Sequence, residues 1–406
     1  MLLKFNLHRL FFISILFSGF LGYVFNSGII ANGPLIIVAG LVIVYEIVAN
    51  EKIAKKHMFS FVLFLPYVAW ASFVYISNPF EGRYLSTHFL TILILPLLVL
   101  SFLRMLYGGG QRYNYKFIYK SLLIFVFLQL VVCLGQISTY AFGVGLPVNE
   151  LYAEGGMVTG TFFNSNDLAA TTLAILFFVL GLEKYFFKED KYLFWIVAFA
   201  LLIITGSRSA IILGVGLFVF SKVNDPKKIL TYGSLFFILA LLSVFFIGSI
   251  ENEAVSRMLV RVESLVNVLQ YGVSADNSMT MRINSYFHFL EKLPKLGLGS
   301  GEINNYFKYS DGANFRGADL LFQNPHSLIV EIGYWLGWPG LVLFFGPMVL
   351  LLSNSRRKLS LIATFLIVSM IPSSILGSML FFLILILGFF DFKSLNKIAP
   401  PAGTSI

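Results

Sequence analysis

LFWIVAFALLIITGSRSAIILGVGLFVF, residues 193–220, holds a single charged side chain, Arg208, in 28 positions. Two apolar runs, 193–205 and 209–221, meet there at Thr205-Gly206-Ser207-Arg208. The pattern recurs along the chain. Of 406 residues, 58% are hydrophobic and 12% charged, whereas a soluble domain averages about 25% charged. The apolar runs are roughly 15 to 25 residues long, enough to cross a hydrocarbon core about 30 Å thick. No water is present at that depth to satisfy backbone N–H and C=O groups, so each run is predicted to be a helix. The 44 Phe and 19 Tyr suit lipid-facing surfaces and interfacial belts.

Outward from 193–220, spans fall near residues 10–25, 29–48, 58–77, 86–106, 117–142, 160–181, 193–205, 209–221, 229–250, 326–353, 359–371 and 375–390. The first follows Lys4 and Arg9, and no small-residue cleavage site separates it from the second, so it reads as a retained anchor. With the N-terminus inside, twelve crossings put 20 basic and 7 acidic residues on the cytoplasmic face. The outer face then carries 9 basic and 12 acidic residues, and Glu331 stays within a span. Enrichment of Lys and Arg in short cytoplasmic loops is the expected orientation. Shifting the count by one crossing would scatter it. The prediction is an all-α integral membrane protein with about 12 transmembrane helices and both termini cytoplasmic. Residues 1–406 form one polytopic domain, with a large periplasmic loop, 251–325, between spans 9 and 10. Short helices are expected in the loop, for example at Val255–Leu269 and Met281–Leu293. The net charge of +9 is spread over these connectors and forms no basic patch on a soluble module, which argues against nucleic acid as a partner. Cys133, the single cysteine, sits within an apolar run and cannot form an intrachain disulfide.

Charged groups in or at the edge of a bilayer are costly and mark candidate sites. Arg208 lies between two short runs with no acidic residue nearby, and its guanidinium fork suits phosphate oxygens. The plainer reading is an interfacial arginine snorkelling to lipid headgroups. Arg282 opens an amphipathic stretch that ends at Gly297-Leu298-Gly299, and Arg257 and Arg261 lie four residues apart on a preceding helix. An anion site and a solvated loop face both fit these three. His326 begins a long apolar helix, where a near-neutral imidazole accepts a proton from a hydroxyl or simply caps the helix. Glu331 lies in the same span about 140° further round, so it faces a different neighbour, and Arg208 is the natural partner. There is no Walker loop, dinucleotide fingerprint, His/Cys metal spacing or Gly-x-Ser-x-Gly elbow, so no cofactor or metal is expected. An activated substrate would have to reach the outer face already energised, as a lipid-linked diphosphate.

His326-Ser327 followed after nine residues by Gly337-Trp338-Pro339-Gly340, the turn Gly206-Ser207-Arg208-Ser209-Ala210, and Arg282 with its downstream helix and Gly297-Leu298-Gly299 together resemble the bacterial O-antigen ligase and Wzy-type O-antigen polymerase superfamily. Gly160-Thr161-Phe162-Phe163-Asn164-Ser165-Asn166-Asp167-Leu168-Ala169 is similar to the start of a mid-chain span in that family. The motifs cover roughly Gly160 to Gly340. The first 150 residues match in hydropathy alone.

The resemblance implies a metal-independent glycosyltransferase with a GT-C-like, membrane-embedded fold in the bacterial inner membrane, acting in lipopolysaccharide or other surface polysaccharide biosynthesis. Its donor would be an undecaprenyl-diphosphate-linked glycan, its active site would face the periplasm, and transfer would be inverting. Arg208 and Arg282 would neutralise the diphosphate, and His326 would position or deprotonate the acceptor hydroxyl. Arg257 and Arg261 would hold a second phosphate or the glycan. Asn164, Asn166, Ser327 and Glu331 complete the candidate substrate-binding set. Polymerisation of lipid-linked repeat units is the favoured reading and leaves room for a chain-length regulator. Ligation of the glycan to lipid A-core is the alternative. A flippase for the same lipid is a more distant one, because transporters show matching halves and midplane charges that are not evident here.

Overall fold

The computed structural model describes residues 2–26, 28–48, 62–77, 92–101, 104–105, 111–148, 157–162, 164–182, 190–222, 267, 270–272, 286–299 and 327–352. Among these residues the chain is helical wherever it is regular, without strands. The helices are α1 (Leu2–Phe25), α2 (Gly28–Val48), α3 (Leu65–Ser77), α4 (Ile92–Ser101), α5 (Gln111–Phe142), α6 (Ser165–Leu182), α7 (Asp190–Thr205), α8 (Arg208–Lys222) and α9 (Leu328–Leu352). They fall on nine of the expected spans. The spans at 229–250, 359–371 and 375–390 lie outside the described residues. Among the described residues, three helices are long and apolar enough to cross a membrane: Leu7–Phe25, Lys116–Phe142 and Leu328–Pro347.

Two boundaries differ from the sequence expectation for identifiable reasons. Within the expected span 58–77 the helix begins at Leu65, with Pro66 in its first turn, where the missing N–H is no loss. The expected span 160–181 begins as helix only at Ser165, because Gly160 adopts φ +61 and residues 157–162 run as a non-helical strip.

α1 and α2 pack as an antiparallel hairpin, α5 lies against α1 and α7, and α6 is the most enclosed helix, with Leu168, Ala169, Ala170, Leu173, Ala174, Ile175 and Leu176 fully buried. α8 closes on α6 and α7 through Gly214, where an added Cβ would stand 2.8 Å from Leu202 Cδ1. Small residues at helix crossings are the membrane solution to close packing. α9 packs on α3.

Polar contacts tie the helix ends together. At the start of α1 and the end of α2, His8 Nε2 lies 3.2 Å from Glu46. Arg104 grips the same carboxylate with Nε and Nη2 at 3.1 and 2.8 Å. Glu46 and Arg104 are among the residues that the charge pattern assigns to the cytoplasmic side. At the opposite ends Tyr23 of α1 donates its hydroxyl hydrogen to Pro147 O, beyond the end of α5.

The strip 157–162 is held by two glutamines of α5, Gln129 and Gln136, seven residues apart on one helix face and fully buried. Gln136 Oε1 accepts from Thr159 N and Gly160 N at 3.1 and 2.9 Å, and its Nε2 donates to Gly160 O and Pro147 O at 2.9 and 3.2 Å. Gln129 Oε1 accepts from Thr161 N at 3.0 Å, and Nε2 donates to Thr161 Oγ1 at 2.6 Å. Non-helical backbone inside such a protein persists only when buried partners satisfy it. Gln136→Leu leaves several buried groups bare at about 1–3 kcal/mol each. It should sharply reduce the folded, detergent-extractable fraction. Ser138→Ala, which removes an exposed bond to Val144 O, should leave that fraction unchanged.

Candidate functional site

The turn carrying Arg208 is built by glycine and helix-end chemistry. Gly206 takes φ +62, a left-handed conformation natural to glycine after a helix end, and its N–H returns to Ile203 O at 3.0 Å. Thr205 Oγ1 donates to Leu202 O at 2.7 Å. Buried Ser207 precedes α8, its carbonyl accepting from Ile211 N at 3.0 Å. Arg208 is thus the first residue of α8, and the first turn holds no acidic residue. A cation at a helix N-terminus opposes the helix dipole. A bound anion would compensate such a charge.

The start of α6 uses Asn164 as its cap. Asn164 Oδ1 accepts from Asn166 N at 2.8 Å, and Asp167 sits in the first turn where a carboxylate is favoured. Asn164 is buried, and one of its acceptor atoms is committed to the helix start.

α9 begins at Leu328, two residues after His326, which itself lies outside the described residues, as do Arg257, Arg261 and Arg282. Ser327 is buried and its carbonyl accepts from Glu331 N at 2.9 Å. Glu331 is buried one turn further on, among Leu328, Val330, Ile332, Tyr334, Trp335 and Leu336. The pairing of Glu331 with Arg208 expected from the sequence lies outside what is described, because it depends on the Arg208 side chain.

The clearest convergence joins two motifs that are almost forty residues apart. Residues 286–292 are helical and lead through a 3-10 turn, Leu293–Lys295, to Gly297-Leu298-Gly299. That glycine turn sits against a break in α9 at Gly337, whose φ of +66 and ψ of −160 are not helical. Trp338 N donates to Gly297 O at 3.0 Å, and Gly299 N donates to Leu296 O at 2.8 Å. Pro339 has no N–H to offer Trp335 O, and Leu336 O accepts instead from Trp70 Nε1 of α3 at 2.9 Å. The two backbones are so close that glycine is required on both sides. A Cβ on Gly299 would lie 2.6 Å from Gly337 N, and one on Gly337 would lie 2.5 Å from Leu298 C.

Just upstream, Phe289 packs edge-on to Tyr334 and fills the space over Gly333, where a Cβ would lie 2.6 Å from its ring. His288 Nδ1 and Tyr334 Oη, both buried, share a hydrogen bond of 2.8 Å. The segment leading from Arg282 is thereby latched to the helix leading from His326. His288, Tyr334, Trp70 and the two glutamines were not singled out from the sequence. The amides at 129 and 136, seven apart in an apolar run, carried the readable signal of a shared face.

Over residues 192–345 the chain matches the model of a family described as O-antigen ligase. This stretch is similar to that family. No curated protein and no solved structure matches the chain. The O-antigen ligase match opens one residue before the 193–220 run and closes at Phe345 in α9. It takes in Arg208, Arg257, Arg261, Arg282 and His326.

Breaking the latch has a defined signature. Tyr334→Phe leaves the buried His288 nitrogen without the hydroxyl, at about 1–3 kcal/mol. His288→Leu should cost a similar amount. In a double-mutant cycle on detergent-solubilised protein, the pair should cost less than the sum of the single changes, because both remove one interaction.

Proposed function

We propose that the protein polymerises lipid-linked oligosaccharide repeat units at the periplasmic face of the bacterial inner membrane, by metal-independent glycosyl transfer from an undecaprenyl-diphosphate donor. The observation that carries this reading is the O-antigen ligase match at 192–345, which encloses the Arg208 turn, Arg282 and His326. The docking of the Gly297-Leu298-Gly299 turn into α9 supports it, because that contact tethers the chain around Arg282 to the helix that follows His326.

In this reading the acceptor hydroxyl gives its proton to His326 and attacks the anomeric carbon from the face opposite the diphosphate. The new glycosidic bond forms as the bond from the anomeric carbon to the phosphate oxygen breaks, and the lipid diphosphate departs with the bonding pair. Arg208 and Arg282 stabilise the charge gathering on that diphosphate. Arg257 and Arg261 bind a second phosphate or the glycan. Asn166, Ser327 and Glu331 orient substrate, and Asn164 contributes through its amide nitrogen and its cap. Twelve crossings with both termini cytoplasmic are part of the proposal. The meeting of His8, Glu46 and Arg104 at one end and of Tyr23 with Pro147 at the other supports it.

The family's description as O-antigen ligase favours a second reading, in which the acceptor is lipid A-core. Deletion separates the two. A ladder of surface glycan lengths collapsing to a single repeat identifies polymerisation. Loss of all attached glycan, with lipid-linked polymer accumulating, identifies ligation. Purified protein that moves no glycan from a lipid-diphosphate donor to either acceptor would refute both.

A further inference from the structure

We propose that the segment 286–299 is seated on lipid alongside α9 rather than standing in the water of the periplasm. One side of it is committed to protein: His288, Phe289 and Leu296 are buried against α9. The other side presents large apolar groups, with Phe287 41%, Leu290 60% and Leu298 67% exposed. Phe287, Leu290 and Glu291 fall at helical spacing and Lys295 is exposed in the turn that follows, so the outward side is mainly apolar with one acidic and one basic group whose long side chains can reach toward water. Such groups clustered in water would be an unusual liability for a loop.

What covers them is indicated by α9. From Leu328 to Leu336 that helix is enclosed by protein, and outward exposure begins at Trp338, 42% exposed, followed one turn on by Val342 at 62%. α9 belongs to the candidate span Leu328–Pro347, so this exposed face is its lipid face. Leu298 stands at the level of Trp338, because the neighbouring Gly297 O accepts from Trp338 N. The apolar surface of the segment is therefore continuous with the lipid-facing surface of the helix. The turn is also equipped for that environment. Leu293 O, Leu296 O and Gly297 O accept from Leu296 N, Gly299 N and Trp338 N, which leaves little backbone that water must satisfy. Arg282 lies four residues before the segment, no more than about 14 Å of extended chain from it.

The placement does not depend on catalysis, and its test needs no turnover. In the full chain carrying Cys133→Ser, single cysteines replacing Leu290, Leu298 and, as a lipid reference, Val342 would be nitroxide-labelled in phosphatidylethanolamine–phosphatidylglycerol vesicles. Collision rates with oxygen and with a water-soluble nickel chelate would then be compared. Oxygen should dominate at Leu290 and Leu298 as it does at Val342. Dominance of the nickel chelate would put the segment in water and overturn the proposal. Low access to both reagents would mean that a second copy or another protein covers the face, which also overturns it. Labels that keep the lipid signature in a chain with no glycosyl transfer would leave the placement standing while the catalytic reading fell.

Discussion

Arg208→Lys is expected to lower glycan transfer by about 100- to 1,000-fold, the range seen when one preorganised donor is removed from a developing oxyanion. The protein should still insert in the membrane at a normal level. Lysine keeps the charge but replaces a planar, two-pronged donor with a mobile point charge, so the loss measures geometry rather than electrostatic attraction. Position matters too, because Arg208 is the first residue of α8 and Gly206 and buried Ser207 fix the chain that leads to it. His326→Ala should cost about 100- to 10,000-fold if the imidazole acts as general base. The two variants should separate kinetically. The arginine change removes donor stabilisation at every pH, whereas the histidine change also removes the acidic limb of the rate profile. Near-normal transfer by purified Arg208→Lys or His326→Ala would eliminate the assignment of that residue. Loss of the protein from the membrane would point to a structural role instead.

Much of the architecture could be read from the chain because bilayer physics leaves few alternatives. A run such as 193–205 can only be a helix at that depth, and all nine expected spans with described residues contain one. What hydropathy could not give was the strip before α6. Residues 160–164 are apolar enough to pass for helix. The conformation of residues 160–162 is decided by Gly160 and by glutamines some thirty residues away, a tertiary override of the local pattern. The short helix 286–292 falls within the expected stretch Met281–Leu293.

The candidate site was legible as a set of motifs, but not as an arrangement. Gly297-Leu298-Gly299 and Gly337-Trp338-Pro339-Gly340 stood out separately. Nothing in their spacing said that the first turn fits into a break in the helix formed by the second. His288 was unreadable for a related reason. One histidine in an amphipathic stretch carries no signal until Tyr334, forty-six residues on, is placed beside it. The arginines and His326 were the easier part, since charge beside an apolar run is visible in the sequence alone.

Gly337→Ala is expected to damage the fold more than any other single methyl group added to α9. Two independent costs combine at this position. A side chain at φ +66 and ψ −160 is outside the comfortable range of L-residues, at about 1–3 kcal/mol. The new Cβ would also press within 2.5 Å of Leu298 C, with Gly297 O and Gly299 N closer still, and backbone cannot swing aside as a flexible side chain can. Overpacking of this kind adds about 1–3 kcal/mol. A total of roughly 2–6 kcal/mol rivals the stability of many domains. The natural escape is for the 286–299 segment to leave α9, giving up the Trp338-to-Gly297 and His288-to-Tyr334 bonds. Gly299→Ala should behave alike, since its φ is +89 and its Cβ would meet Gly337 N from the other side. Gly346→Ala is the matched control: it is the same substitution in the same helix, with nothing within 4 Å of the new atom. The measurement is limited proteolysis of detergent-solubilised protein. Cleavage should appear early within 286–299 in Gly337→Ala and Gly299→Ala and stay at the parental rate in Gly346→Ala. Parental protection in all three would mean that the contact between the turn and α9 is not what holds this segment in place.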